Sequence, residues 1–234
     1  MSKFKKLLFT LIFILIIEIL LIYIGYKNSN EDTVYIKNYN SKKPVALVVD
    51  ITSNELFVLQ NNNLIKTYPI ASGKQETPSP IGNWKIISKD TWGKGFGGHW
   101  MGLNVPWGKY GIHGTIFPNS IGARSSHGCI RMRNSDVAEL YKIARHGTPI
   151  IIYGGPYGNF GEYLRPLKPG MNGSDVYEVQ KLLKDKGYYK GNPDGIYSKW
   201  MRSAVHKFQK DNKLTVSDTI SWNFYNKLGV ELRD

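Results

Sequence analysis

Leu7 to Ile24 is an 18-residue apolar run interrupted only by Thr10 and Glu18. No other feature restricts the architecture as much, because, read as a membrane span, it removes the first tenth of the chain from the water-soluble fold. At ~1.5 Å per residue a helix of this length spans about 27 Å, close to the ~30 Å hydrocarbon core of a bilayer. Lys3, Lys5 and Lys6 stand before the run and Lys27 just after it. Tyr23, Ile24, Gly25 and Tyr26 end it where a cleaved signal peptide would carry a small-x-small site. A cleaved signal and a dry core helix are the alternatives to an uncleaved anchor, and the flanks favour the anchor. The basic residues then place the N-terminus in the cytoplasm and everything after residue 27 outside. Glu18, if central, costs about 2.5–3.5 kcal/mol and needs protonation or a partner helix.

Residues 1–27 are therefore expected to be a basic tip and transmembrane anchor, and residues 28–43, rich in Asn and Ser, a polar spacer. From Val45 the pattern alternates with period two. Residues 46–50 and 55–59 read as strands around a Thr52-Ser53-Asn54 turn, and Asn61-Asn62-Asn63 precedes a third over 64–70. Further strands are expected at 84–88, 102–105 and 150–153. One helix stands out over 135–145, with Val137, Leu140, Tyr141 and Ala144 at helical spacing, Ser135 or Asp136 as its cap, and Gly147 and Pro149 at its end. The block 44–154 thus reads as mainly β with one main helix. Residues 155–169, rich in Gly and Pro, read as a linker. Over 170–232 three apolar stripes (Val176, Val179, Leu182, Leu183; Ala204, Val205, Phe208; Trp222, Tyr225, Leu228) predict a small three-helix domain.

The formal charge of +13 suggests an anionic partner. The excess is spread through every part of the chain, and no nucleic-acid-binding motif is present, so a wall polymer or membrane surface is expected and nucleic acid is not. Nothing in the sequence points to an oligomeric state. The single cysteine excludes an intramolecular disulfide.

That cysteine lies in the segment richest in chemistry: His113-Gly114-Thr115, then Ser126-His127-Gly128-Cys129-Ile130-Arg131. A thiol near its ordinary pKa of ~8.5 is only a few per cent ionised at neutral pH, so a nucleophilic cysteine needs a base or a positive environment. His113 and His127 are candidate bases and Arg131 brings charge. Gly128 lets successive amides turn toward one point, as an oxyanion site requires. Residue types alone leave three roles open for Cys129: apolar filler, nucleophile, or zinc ligand with His113 and His127. Upstream, Trp92, Phe96, Trp100, Trp107 and Tyr110 alternate with glycines. They fit either a mobile lid over a site or core aromatics on a glycine-rich loop.

The string from His113 to Met132, with Thr77-Pro78-Ser79-Pro80-Ile81-Gly82 before it, resembles the signature of the L,D-transpeptidase (YkuD-like) catalytic domain over residues 44–154. The resemblance implies a β-sandwich-like catalytic fold and no metal or cofactor. It makes Cys129 the nucleophile and His113 the general base, oriented by the carbonyl of Gly114, where other members often have serine. His127 and Gly128 would line the oxyanion site through backbone N–H groups, with the Cys129 amide contributing, and Arg131 would position substrate. Ser126, Trp107 and Tyr110 join Arg131 as candidate substrate contacts. The activity implied is peptidoglycan crosslinking between stem peptides, with carbapenem sensitivity.

Gly173-Ser174-Asp175-Val176, Val179-Gln180, Asp194-Gly195-Ile196-Tyr197, Ala204-Val205 and Phe208-Gln209 resemble a three-helix peptidoglycan-binding domain. Met201 and Thr219 depart from its usual threonine and glycine. The expectation is a membrane-tethered enzyme acting on peptidoglycan stem peptides and glycan. An L,D-carboxypeptidase and a catalytically inactive wall-binding protein are the alternatives.

Overall fold

The computed structural model describes residue 40 and residues 43–231. The expected anchor over 7–24 and nearly all of the spacer lie outside the described residues; within them no helix is long and apolar enough to cross a membrane.

Period-two alternation becomes strands as expected in β1 (Ala46–Asp50) and β2 (Glu55–Gln60), each with buried and half-buried residues in strict turn. They pair antiparallel through the 51–54 turn, whose Asn54 takes the positive φ that asparagine tolerates. Strand β3 (Asn63–Gly73) runs longer than expected and β4 spans Gly82–Asp90. Then come β5 (Trp100–Leu103), β6 (Gly111–Gly114), β7 (Arg124–Ser126), β8 (Ile130–Met132), helix α1 (Asn134–Ile143) and β9 (Pro149–Tyr153). The sheet order is β2-β1-β9-β4-β5-β6-β8-β3-β7, and an additional β2–β3 pairing closes it.

The result is a barrel-like closed sheet where two stacked sheets were expected. Length is the reason. Eleven-residue β3 pairs β2 through Pro69, then β8 at Ile70 and Ala71, then β7 at Ser72 and Gly73. One strand thus changes partners as it bends around the core, which leaves no free edge between β2 and β8. Leu47, Leu56, Ile70, Ile86, Ile112, Ile130, Val137 and Leu140 fill the interior.

Helix α1 starts one residue earlier than expected, at Asn134, with Arg133 at the N-cap. Neither Ser135 nor Asp136 caps it. Both lie inside the first turn, where the Ser135 hydroxyl donates to the Asp136 carboxylate.

Three helices form the second core: α2 (Ser174–Asp185), α3 (Lys199–Asp211) and α4 (Trp222–Leu228). Met201 fills it without exposure, which accounts for its tolerance in place of threonine. In α4 the inward stripe is Phe224, Tyr225 and Leu228, while Trp222 is 56% exposed. At ~100° per residue those three share an arc that Trp222 lies outside. Gln180 is fully buried yet satisfied: its amide nitrogen donates to Asp194 Oδ1 (2.8 Å) and the Ile196 carbonyl (3.0 Å), and its oxygen accepts from the Asp194 and Gly195 amides.

The stretch that reads as a linker is tied down at several points. Arg124 pairs with Glu162, Arg165 with Asp175, and Leu167 is buried in the second core, bridged to Ile220. The two cores also meet directly. Tyr177 of α2 packs on Trp84 and Trp107, with ring centroids 5.7 and 5.5 Å apart. Gly195 lies so close to Trp107 that a Cβ there would fall 2.2 Å from the indole.

Candidate active site

Three short strands that local periodicity does not reveal carry His113, Gly114, Ser126 and Arg131, and the turn between β7 and β8 carries His127, Gly128 and Cys129. Strands β6 and β8 run parallel, with Ile112 opposite Ile130 and His113 opposite Arg131. Ile112, Ile130 and Met132 are fully buried in the core. Alternation therefore turns His113 and Arg131 to the other face. Cys129, one residue before β8, alternates with Ile130 in the same sense. The Gly111 amide, at the start of β6, hydrogen-bonds the thiol, and the charge of Arg131 acts on both Cys129 and His113.

The Cys129 thiol is free and half-buried. Burial pushes its pKa up, against the Gly111 hydrogen bond and the Arg131 charge, which lower it. His113 is buried, with Nδ1 2.6 Å from the Gly114 carbonyl oxygen. A carbonyl only accepts, so Nδ1 carries the proton and the neutral ring keeps its lone pair on Nε2. Burial lowers the imidazole pKa below its ordinary value, the Gly114 bond opposes this, and Arg131 lowers it further. The pair is thus set as neutral thiol and neutral imidazole near pH 7.

Glycine at 114 follows from packing. A Cβ there would fall 2.5 Å from Asn134 Oδ1 and 2.8 Å from the Gly97 Cα. A serine at this position would clash, and the carbonyl does the orienting in any case.

Ser126 is corrected from a substrate contact to a support. It is fully buried, its hydroxyl donates to the Cys129 carbonyl (2.6 Å), and its oxygen accepts the Gly128 N–H (3.0 Å). The same bond revises the expected oxyanion donors, because the Gly128 amide is already engaged. The amides of exposed His127 and of Cys129 remain as the candidates. Gly128 itself has φ 109°, a conformation that favours glycine, and a Cβ would fall 2.6 Å from the Tyr110 ring.

The upstream motif braces this turn from below. The Thr77 hydroxyl and the Lys74 amide both donate to the Ser126 carbonyl, at 3.1 and 3.0 Å. Buried Ser79 accepts the Gly73 amide at 2.9 Å.

The aromatics divide. Trp107 is buried, packed edge-on against Trp84 at 5.2 Å, and hydrogen-bonded to the Tyr110 side chain. It therefore supports Tyr110 and, at 9% exposure, has little surface to offer substrate. Tyr110, half-buried, lies against Gly128. Trp100, a core residue of β5, stacks near His113 at 5.7 Å. Phe96, 38% exposed, meets the imidazole edge-on at 4.9 Å, and Trp92 stacks on Trp100 at 4.6 Å with the Lys109 ammonium 4.2 Å from its ring. Arg131 is half-buried, with a long 3.4 Å contact to the Ser125 carbonyl. Among the described residues no three His, Cys, Asp or Glu side chains group as metal ligands do. Asn134, missed in the sequence, contacts this site; no motif marks it.

Comparison with known proteins agrees with the motif. Residues 44–152 match the "L,D-transpeptidase catalytic domain" family and residues 172–217 the "Putative peptidoglycan binding domain" family. The "Putative L,D-transpeptidase YkuD" of Bacillus subtilis is 44% identical over 110 residues, 47% of this chain and 66% of that protein. The chain thus spans just under two thirds of that relative. The "Putative L,D-transpeptidase YqjB" of the same organism is 30% identical over 122 residues, 45% of this chain and 69% of that protein. A crystal structure of an L,D-transpeptidase from Stackebrandtia nassauensis is 25% identical, covering 50% of this chain and 58% of that one at a TM-score of 0.42. With both domain families matched and the spaced cysteine and histidine motif intact, the chain belongs to the L,D-transpeptidase family of YkuD type.

Proposed function

We propose that this protein is a cysteine-dependent peptidoglycan L,D-transpeptidase that forms 3→3 crosslinks. The observation that carries the proposal is the common face of β6 and β8, which presents His113 and Arg131 together with Cys129 beside the Gly128 turn. The C-terminal domain family match supports peptidoglycan as the polymer bound.

A neutral resting pair implies proton transfer during attack rather than a preformed ion pair. As Cys129 Sγ bonds to the carbonyl carbon of the third residue of a tetrapeptide stem, its proton passes to His113 Nε2. The oxyanion is met by the His127 and Cys129 amides, and the Arg131 guanidinium, suited to bidentate pairing, takes a stem carboxylate. His113 returns the proton to the departing amine of D-alanine, leaving a thioester. The side-chain amine of a diamino acid on a second stem then attacks, gives its proton to His113, and expels the thiolate, which is reprotonated. Water in place of the amine makes the enzyme an L,D-carboxypeptidase. No cofactor enters either route.

The apolar run at 7–24 and its basic flank support a single-pass anchor in the cytoplasmic membrane, with the catalytic and C-terminal domains on the wall side.

The deciding experiment incubates the full chain in detergent micelles with disaccharide-tetrapeptide and follows products by mass spectrometry. A dimer lacking one D-alanine is the expected product. A tripeptide alone would establish hydrolysis. An inert protein, with no carbapenem adduct on Cys129, would leave only the wall-binding alternative.

A further inference from the structure

The peptide unit between Gly114 and Thr115 is gripped at both ends. Its carbonyl faces His113 Nδ1 at 2.6 Å, and its N–H donates to Asn134 Oδ1 at 2.9 Å. A trans peptide is planar, with C=O and N–H pointing opposite ways, so this plane cannot rotate without breaking both bonds. Whatever holds the N–H therefore also aims the carbonyl. Asn134 is itself fixed, as the first residue of α1, whose Val137 and Leu140 are fully buried in the barrel core.

The packing around it is equally specific. A Cβ on Gly97 would fall 2.1 Å from Asn134 Oδ1 and 2.6 Å from the Gly114 Cα, and one on Gly114 would meet the same oxygen at 2.5 Å. Two glycines from different segments leave just enough room for the carboxamide. The Gly97 approach also brings Phe96 to the His113 ring.

The geometry points to Asn134 as a positioning residue that sets the His113 tautomer through the Gly114–Thr115 peptide. This rests on His113 being the general base proposed above. Asn134 touches no reacting atom. By holding the Thr115 amide it keeps the Gly114 carbonyl on Nδ1, which confines the neutral proton to Nδ1 and leaves Nε2 as the base.

The test reads the tautomer directly, in the full chain with 15N-labelled histidine in detergent micelles, by long-range 1H–15N correlation spectra at a pH where His113 is neutral. Wild-type protein is expected to show the Nδ1–H form. Asn134→Ala should raise the Nε2–H form to a comparable share and slow iodoacetamide alkylation of Cys129 at pH 7 by about fivefold to tenfold, the effect of losing one hydrogen bond. Asn134→Asp keeps an acceptor oxygen in place and should restore the Nδ1–H form. An Asn134→Ala protein that melts earlier but keeps the wild-type tautomer and alkylation profile would reduce Asn134 to a helix-start residue and overturn the proposal. If the alanine variant does not fold, a mixed tautomer in Asn134→Asp overturns it instead. The tautomer is read without substrate, so absence of crosslinking with the expected spectra would count against the transpeptidase function alone.

Discussion

Replacing Ser126 by alanine separates a support from a substrate contact. The hydroxyl makes two bonds inside the nucleophile turn, to the Cys129 carbonyl at 2.6 Å and from the Gly128 amide at 3.0 Å, in a fully buried position. Each buried group left without a partner costs ~1–3 kcal/mol, so Ser126→Ala should lose about 2–4 kcal/mol of stability, allowing for some relaxation. At ~2–4 °C per kcal/mol for a chain of this size, the melting midpoint should fall by about 5–15 °C. The functional consequence is more selective. Acylation by a carbapenem builds charge on an oxyanion and depends on where the His127 and Cys129 amides point, whereas alkylation by iodoacetamide does not. Losing a well-placed donor costs on the order of a hundredfold, so acylation should fall about 10- to 100-fold while alkylation changes less than about threefold. Stopped-flow acylation and timed alkylation read by mass spectrometry give both rates at a temperature where the variant is folded. Equal losses in the two reactions would show that Ser126 acts on the thiol itself. A change confined to substrate affinity would restore it as a substrate contact. Either result would refute the assignment.

Other outcomes follow from the same geometry. The acid limb of the acylation rate should lie below the ordinary histidine value of ~6.5, because folding depresses the His113 pKa. Arg131→Gln removes a charge that lowers both groups, so this limb should move to higher pH and the thiol should ionise at higher pH still; a limb that moves to lower pH would exclude Arg131 as its cause. Gly195→Ala places a Cβ 2.2 Å from Trp107 at a φ of 70°. It should cost about 1–3 kcal/mol by overpacking and split any single calorimetric transition into two as the cores uncouple; an unchanged thermogram would mean that the contact between the cores carries no stability. Gln180→Leu strands the Asp194 and Gly195 amides and should destabilise the C-terminal unit by about 2–4 kcal/mol in urea titrations while Cys129 alkylation stays at the wild-type rate. Deleting residues 1–27 should release the protein from the membrane pellet into the soluble fraction, and retention in the pellet would refute the anchor.

Much of the scaffold was legible because its signals are local. The alternation in 46–50 and 55–59, the polar turn between them and the stripes of α2 and α3 each depend on neighbours within a turn or a hairpin. Trp222 was misjudged because its spacing to Tyr225 and Leu228 is helical, yet Phe224 fits the same arc better. The docking of the linker was not legible, because Gly and Pro content marks a connection between domains, while the Arg124–Glu162 and Arg165–Asp175 pairs that tie it down join residues far apart or across an element boundary.

The chemistry of the site belonged to the sequence. One thiol, a spaced pair of histidines and a glycine before the cysteine restrict the reactions available wherever the residues lie, since those capacities reside in the side chains. Their arrangement did not. Strands β6, β7 and β8 are three or four residues long, too short for a period, and exist only because β3, β5 and one another supply their hydrogen-bond partners. From those pairings come the common face of His113 and Arg131, the burial that sets thiol and imidazole neutral, and the approach of Asn134 to the Thr115 amide. Each is a relation between segments distant in the chain, and closure of the sheet is what brings them within a hydrogen bond of one another.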